Sequence, residues 1–162
     1  MHVGSWALFF ETQAAAFAAL TGLVFVALSI NLKTILETPG TSGRAGEALV
    51  VLVEPVLLGL AGLVARQGTT ALGAEWLVAG FVAWAAVTAI VARGWAALRH
   101  RPGHQVVIRV VGAEVSTLLV LVAGGLLAGG VADGLYWQAG AVAACLVVGI
   151  TDAWVLLVEI LR

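Results

Sequence analysis

Five apolar stretches, each about as long as a lipid bilayer is thick, take up most of this 162-residue chain. They cover residues 8–35, 46–65, 75–97, 107–131 and 136–160. A helix that crosses the hydrocarbon core needs about 20 mostly apolar residues. The mean hydropathy of +1.08 is far above that of soluble domains. We therefore predict an all-α integral membrane protein, in which residues 1–162 form a single bundle of five transmembrane helices without an extramembrane domain.

The basic residues predict how the bundle is oriented. Lys and Arg in short loops are retained on the cytoplasmic side of a membrane. Only Arg66 lies on one side of the predicted bundle. The other side has seven: Lys33, Arg44, Arg93, Arg99, Arg101, Arg109 and Arg162. We expect the N-terminus outside and the C-terminus in the cytoplasm.

Tryptophans give a second measure of the membrane boundaries, because Trp prefers the headgroup level. Trp76 and Trp95 bracket the third predicted helix, and Trp137 and Trp154 bracket the fifth. At 1.5 Å per residue, each pair spans roughly 26 to 28 Å, the thickness of a hydrocarbon core. We expect these four rings at the two interfaces.

Small residues recur at four-residue spacing on three predicted helices. Membrane helices associate where small residues allow their backbones to approach closely. The series are Ala14, Ala18 and Gly22; Gly125 and Gly129; and Ala141, Cys145, Gly149 and Ala153. They predict a tight bundle, and contacts within one chain or between copies in a homo-oligomer are both consistent with them.

The second predicted helix carries a carboxylate directly before a proline, Glu54-Pro55, near its middle. A charged group inside a span costs about 2.5 to 3.5 kcal/mol on insertion scales, so its presence needs a reason. Pro55 also removes a backbone N–H, which leaves the carbonyl of Val51 without its usual partner. Such discontinuities line ion sites in transporters. Glu54 is therefore either a proton or ion site, or a neutral acid bonded to a neighbouring helix.

Further polar residues lie along the predicted helices, many of them in the half of the bundle predicted to be cytoplasmic. Glu47 lies on the face of Glu54, seven residues earlier, and Gln138, Cys145, Asp152 and Glu159 follow one another at the same interval. We assign ion or proton binding to Glu54, Glu47, Glu114 and Asp152. A supporting polar network would contain Arg93, Arg109, Ser29, Asn31, Thr117 and Glu159. Arg93 or Arg109 could neutralise Glu114 or Asp152 in a purely structural network. The excess of acid over base instead favours a path for protons or cations.

Other chemistry finds no support in the sequence. There is no HExxH, no GxSxG, no phosphate-binding glycine loop and no lysine within a span for a Schiff base. We expect no catalytic residue, no metal site and no cofactor, and hence no enzyme. A net charge of -1 without a basic patch excludes nucleic acid as a partner.

Three runs resemble a group of small actinobacterial membrane proteins of unestablished activity, some of which carry the label of modulator of the FtsH protease. These runs are TGLVFVALSINLKTIL (21–36), PGTSGRAGEALVVL (39–52) and AWVLLVEILR (153–162). The resemblance implies a multi-pass protein of a bacterial inner membrane. In that group apolar residues are expected at Glu54 and Pro55. A shared core would then include Ser29, Asn31, Arg44, Glu47 and Glu159.

Three functions follow as hypotheses. The first is a homo-oligomeric channel or transporter for protons or small cations, with the buried carboxylates as binding groups. The alternative is a non-conducting accessory protein that binds another membrane complex, such as a protease, through its small-residue surfaces. The third, an amphiphile exporter or lipid-handling protein, would require a groove that faces the membrane, with Glu54 at its base.

Overall fold

The computed structural model describes residues 3–98 and 103–160, and within these ranges the regular secondary structure is all helical, with no strand. A 3-10 helix, Val3–Trp6, precedes six α-helices: α1 (Ala7–Ile30), α2 (Leu32–Glu37), α3 (Thr41–Gly62), α4 (Thr69–Leu98), α5 (Gly103–Ala128) and α6 (Gly134–Ile160). Every α-helix except α2 is long and apolar enough to cross a membrane. The prediction of an all-α protein with five candidate spans is confirmed. Arg99, Arg101 and Arg162, which contribute to the predicted orientation, lie outside the described residues.

The first predicted span is interrupted at Asn31. Its side-chain amide donates to the carbonyl of Ala27 at 2.9 Å, a local bond that competes with continued helix. The short helix α2 follows and ends at Glu37, and the next residue, Thr38, is extended because Pro39 follows it. Gly40 then adopts a left-handed conformation with φ of 84°, and α3 begins at Thr41, five residues before the predicted start.

Helix α3 is the centre of the bundle. It packs against α1, α4 and α6, while α5 packs mainly between α4 and α6. Half of its apolar stretch is buried, compared with 22% of that of α1. The functional residues predicted on α3 are therefore enclosed by other helices. Helices α1 and α4 end, and α3 and α5 begin, at the same end of the bundle. We call this end the basic end.

Trp76 belongs to the core, and its predicted place at the membrane interface is wrong. Its side chain is fully buried and packs edge-on against the ring of Phe10, with the ring centroids 5.9 Å apart. Its Nε1 donates to the carbonyl of Leu58 at 3.1 Å. A buried indole N–H requires such an acceptor. This bond joins α4 to α3 near the end opposite the basic end. Of the four tryptophans predicted at the interfaces, the remaining three, Trp95, Trp137 and Trp154, are exposed.

The small-residue series divide into two kinds. On α6, Ala141, Cys145 and Gly149 are buried, and Gly149 lies against Leu52 of α3. On α1, by contrast, Ala18 and Gly22 are exposed, as is Gly125 on α5. A close approach of α5 to α4 uses Gly124 instead, where an added Cβ would lie 2.8 Å from the backbone nitrogen of Leu77.

Gly124 and Gly125 provide a matched test of this packing. Both lie inside α5, so replacement by alanine gains about 1 kcal/mol or less of helix propensity at either site. At Gly124 the methyl group meets the backbone of α4, whereas at Gly125 nothing lies within 4 Å. We expect Gly124→Ala to lower the free energy of unfolding in detergent by about 1 to 3 kcal/mol relative to Gly125→Ala. Equal stability of the two variants would contradict the close α4–α5 contact.

Candidate functional site: polar residues inside the bundle

A buried ion pair joins α3 to α5. The guanidinium of Arg109 donates from Nε to Oε2 of Glu47 at 2.8 Å, and its second nitrogen donates to the same oxygen. Glu47 is completely buried and the Arg109 side chain is 9% exposed. Since two of its N–H groups meet one carboxylate, the pair fixes the relative position of the two helices.

A second ion pair joins α3 to α6. Nε of Arg44 donates to Oδ1 of Asp152 at 3.0 Å, and both side chains are largely buried. The sequence suggested Arg93 or Arg109 as the counter-charge of Asp152, and this is corrected: Arg44 has that position. Arg44 lies one turn before Glu47, so α3 presents a cation to α6 and an anion to α5.

Glu114 and Arg93 are not joined. Glu114 of α5 is half-buried and accepts a hydrogen bond from the hydroxyl of Thr88 on α4, at 3.0 Å. Arg93 is exposed, and no carboxylate of the described residues pairs with it. The counter-charge predicted at Arg93 is therefore absent from this part of the chain. The hydrogen-bond partner of Glu114 is thus a neutral hydroxyl and not a cation.

Glu54 is the unusual member of the set. It is 3% exposed, and neither carboxyl oxygen has a hydrogen-bond partner. Because α3 begins at Thr41, Glu54 lies roughly 20 Å from the start of the helix and 12 Å from its end, within its middle third. One alternative from the sequence was a neutral Glu54 hydrogen-bonded to a neighbouring helix. Within the described residues, no such bond is present.

The backbone beside Glu54 does receive a partner. The side-chain amide of Gln13, on α1, donates to the carbonyl of Pro55 at 2.6 Å, and both residues are buried. This interhelical bond fixes α1 against α3 at the level of the proline. The sequence reasoning missed Gln13, although a glutamine six residues into an apolar helix is a detectable signal.

Unpartnered polar atoms occur at several depths of the interior. Besides Glu54, they are found on Gln138, Gln13, Glu47, Asp152 and Thr41. On α6 alone, Gln138 and Asp152 are separated by about 21 Å along the axis. Buried polar groups normally bond to protein or to ordered water. Groups that lack a protein partner at successive depths are therefore suitable positions for bound water or for a travelling proton.

The remaining residues of the predicted network make local bonds. The Ser29 hydroxyl donates to the carbonyl of Phe25, and the Thr117 hydroxyl donates to that of Ala113. Like the Asn31 bond, these satisfy side chains within their own helix and join nothing. The side chain of Glu159 lies outside the described residues.

A groove of about 480 Å³ lies between α3 and α4, beside Glu54. Its other lining residues are Leu49, Val50, Val53 and Leu57 of α3 and Ala79, Val82, Ala83 and Ala86 of α4. Leu57 and Val82 are more than half exposed, so the groove opens on the outer, apolar surface of the bundle. The surface feature required by the third hypothesis is therefore present.

No protein-family profile, no curated protein and no solved structure matches this chain. The arrangement of its own residues is consequently the basis on which a function can be assigned.

The Glu47–Arg109 pair can be tested by a double-mutant cycle. Arg109→Met leaves a fully buried carboxylate without its cation, and we expect a loss of about 3 to 5 kcal/mol in the free energy of unfolding. Glu47→Gln combined with Arg109→Met removes both charges and should recover much of that loss. Arg93→Met is the control, since Arg93 is exposed and unpaired within the described chain. Additive effects of the two single changes would contradict a direct pair.

Proposed function

We propose that this chain is a multi-pass transport protein of a bacterial inner membrane that passes protons or small cations, with Glu54 as its central binding group. The observation that carries the proposal is the Glu54 carboxyl group, which is buried in the middle third of α3 without a partner on either oxygen. An isolated carboxylate in a low-dielectric interior is costly by several kcal/mol. A proton or a cation must therefore accompany it.

The charges around Glu54 support this assignment. Glu47 and Asp152 are each paired with an arginine, so the layer near the basic end contains two neutral pairs. Glu54 is separated from that layer by about 10 Å along α3. It is a lone acid with no fixed cation, which makes its charge state dependent on a mobile one.

Protons fit the site better than hydrated metal ions. Cations such as Na⁺ and Ca²⁺ need several oxygen ligands around them, and six to eight in the case of Ca²⁺. Glu54 is buried beside the groove and is its one acidic lining residue, and the remaining lining is aliphatic. A proton needs one carboxyl oxygen and a chain of donors and acceptors. Two sets of side chains supply donors and acceptors for such a chain. The first set is Glu54 with Gln13 and Gln138. The second, nearer the basic end, is Glu47, Glu114 and Asp152.

Self-association is part of the proposal. Ala18, Gly22 and Gly125 are exposed small residues that no neighbouring helix of the same chain covers. In a membrane, such surfaces favour close packing against another helix. We expect a symmetric homo-oligomer in mild detergent. A stoichiometric foreign protein in the purified complex would favour the accessory function instead.

The proposed orientation places the basic end in the cytoplasm and the N-terminus outside. Cysteine labelling tests it in a Cys145→Ser background. Gly68 is exposed between α3 and α4, and Glu37 is exposed near the basic end. An impermeant maleimide added to intact cells should modify Gly68→Cys, but Glu37→Cys only after the membrane is permeabilised. The reverse pattern would invert the topology.

Proton flux tests the function of Glu54. Purified protein is reconstituted into liposomes, a K⁺ diffusion potential is applied with valinomycin, and internal pH is followed with a trapped dye. We expect Glu54→Gln to reduce the protein-dependent flux at least tenfold, because the amide cannot take up and release a proton. Glu75→Gln, a change of an exposed acid on α4, should leave the flux unchanged. Equal flux through the native chain and Glu54→Gln, or no flux in either, would refute the proposal.

A further inference from the structure

The groove beside Glu54 is bounded above and below by contacts between the same two helices. Towards the end opposite the basic end, Trp76 of α4 bonds to the carbonyl of Leu58 on α3. Towards the basic end, Ile90 of α4 lies over Gly43 and Gly46 of α3, where added Cβ atoms would be 3.5 Å from its side chain. Between these two contacts the helices leave the groove open.

Small side chains on α4 create this opening. Ala79, Ala83 and Ala86 recur at intervals of four and three residues, so they lie on one face of the helix. They line the groove opposite Val53 and Leu57. Larger side chains at these positions would fill the space. The volume of about 480 Å³ lies within the range of pockets that hold drug-sized molecules, about 300 to 1,000 Å³.

The lining of the groove restricts the chemistry of its occupant. Eight of the nine lining residues are aliphatic, and the ninth is the unpartnered acid Glu54. An aliphatic wall with a single buried carboxyl group complements an apolar molecule that carries one positive charge. Since the groove opens on the apolar surface, such a molecule would enter from the membrane rather than from water.

We infer that the groove between α3 and α4 binds lipophilic organic cations, apolar molecules with one amine or quaternary onium group, and that Glu54 is their counter-ion. This inference rests on the proposed function of Glu54 and names a substrate class for it. The carboxyl group is held by either a proton or the organic cation, because one negative charge is available. Binding of the cation to the protonated site therefore releases one proton to the solution, and charge is conserved.

Other occupants match the groove less well. A lipid acyl chain would fit the aliphatic wall but would make no use of the Glu54 carboxyl group, which would keep its proton. A helix from a second copy would have to present a cation in mid-membrane. The exposed basic side chains of the described spans and their connections, Lys33, Arg66 and Arg93, lie near the helix ends. A smaller groove, between α1 and α6, has a volume of about 150 Å³ and no charged residue in its lining.

Binding of radiolabelled tetraphenylphosphonium to the purified, detergent-solubilised protein tests the inference. Equilibrium dialysis gives the affinity, and a pH electrode in weakly buffered solution records proton release. We expect saturable binding to the native chain, with about one proton released per cation bound. Glu54→Gln should weaken binding at least tenfold and abolish proton release.

Variants that fill the groove separate its shape from its charge. Ala83→Phe and Val82→Trp should each weaken binding at least tenfold while Glu54 remains. Ala143→Phe, at an exposed position of α6 that does not line the groove, should bind as the native chain does. Val82 is exposed, so Val82→Trp provides the test if Ala83→Phe does not fold. Unchanged binding in a folded groove variant would overturn the inference, as would equal competition by the neutral analogue tetraphenylsilane.

Proton flux in the same variants distinguishes failure of this inference from failure of the proposed function. Flux that depends on Glu54, together with no saturable tetraphenylphosphonium binding, would overturn the inference and leave the proposed function in place. Binding that depends on Glu54 and on the open groove, without any proton flux in the absence of the cation, would support the groove and reject free proton passage.

Discussion

Lipid offers no hydrogen bonds, so each polar side chain that a helix carries into the membrane must find a partner inside the bundle or remain without one. Helix α3 meets this constraint with two ion pairs of opposite sense, Arg44 to Asp152 on α6 and Glu47 to Arg109 on α5. The pairs hold three helices together near the basic end. The remaining geometry of the bundle, including the position of Glu54, depends on α3 being fixed there.

Glu54 is excluded from this arrangement by its depth. It lies two turns beyond Glu47, where the neighbouring elements present aliphatic side chains and the small residues of α4 rather than arginines. Gln13 satisfies the carbonyl of Pro55 and Trp76 satisfies that of Leu58, so the backbone near the proline has interhelical partners on both sides. The carboxyl group alone does not. A framework that is well bonded around one unbonded acid is an arrangement suited to a mobile counter-ion.

Much of the architecture could be predicted because hydrophobic length is a property of the chain itself. The five spans follow from the need for about 20 apolar residues each. The boundaries differed where local chemistry acts: the amide of Asn31 interrupts the first span, and the left-handed Gly40 allows α3 to begin early. Trp76 was misplaced because its position along the helix matches the interface, whereas its side chain faces the core. Hydropathy contains no information about that direction.

The sequence could predict which acidic residues make up the candidate site, but not which cation each of them contacts. From the sequence alone, Glu54, Glu47 and Asp152 stand out as acids within apolar helices, because burying each one is costly whatever surrounds it. Which cation approaches which acid depends on helix rotation and contact, and those are fixed by packing between residues far apart in the chain. Only the tertiary structure therefore assigned Arg44 to Asp152 and Arg109 to Glu47, left Glu54 unpaired, and opened a groove beside it where α4 carries alanines.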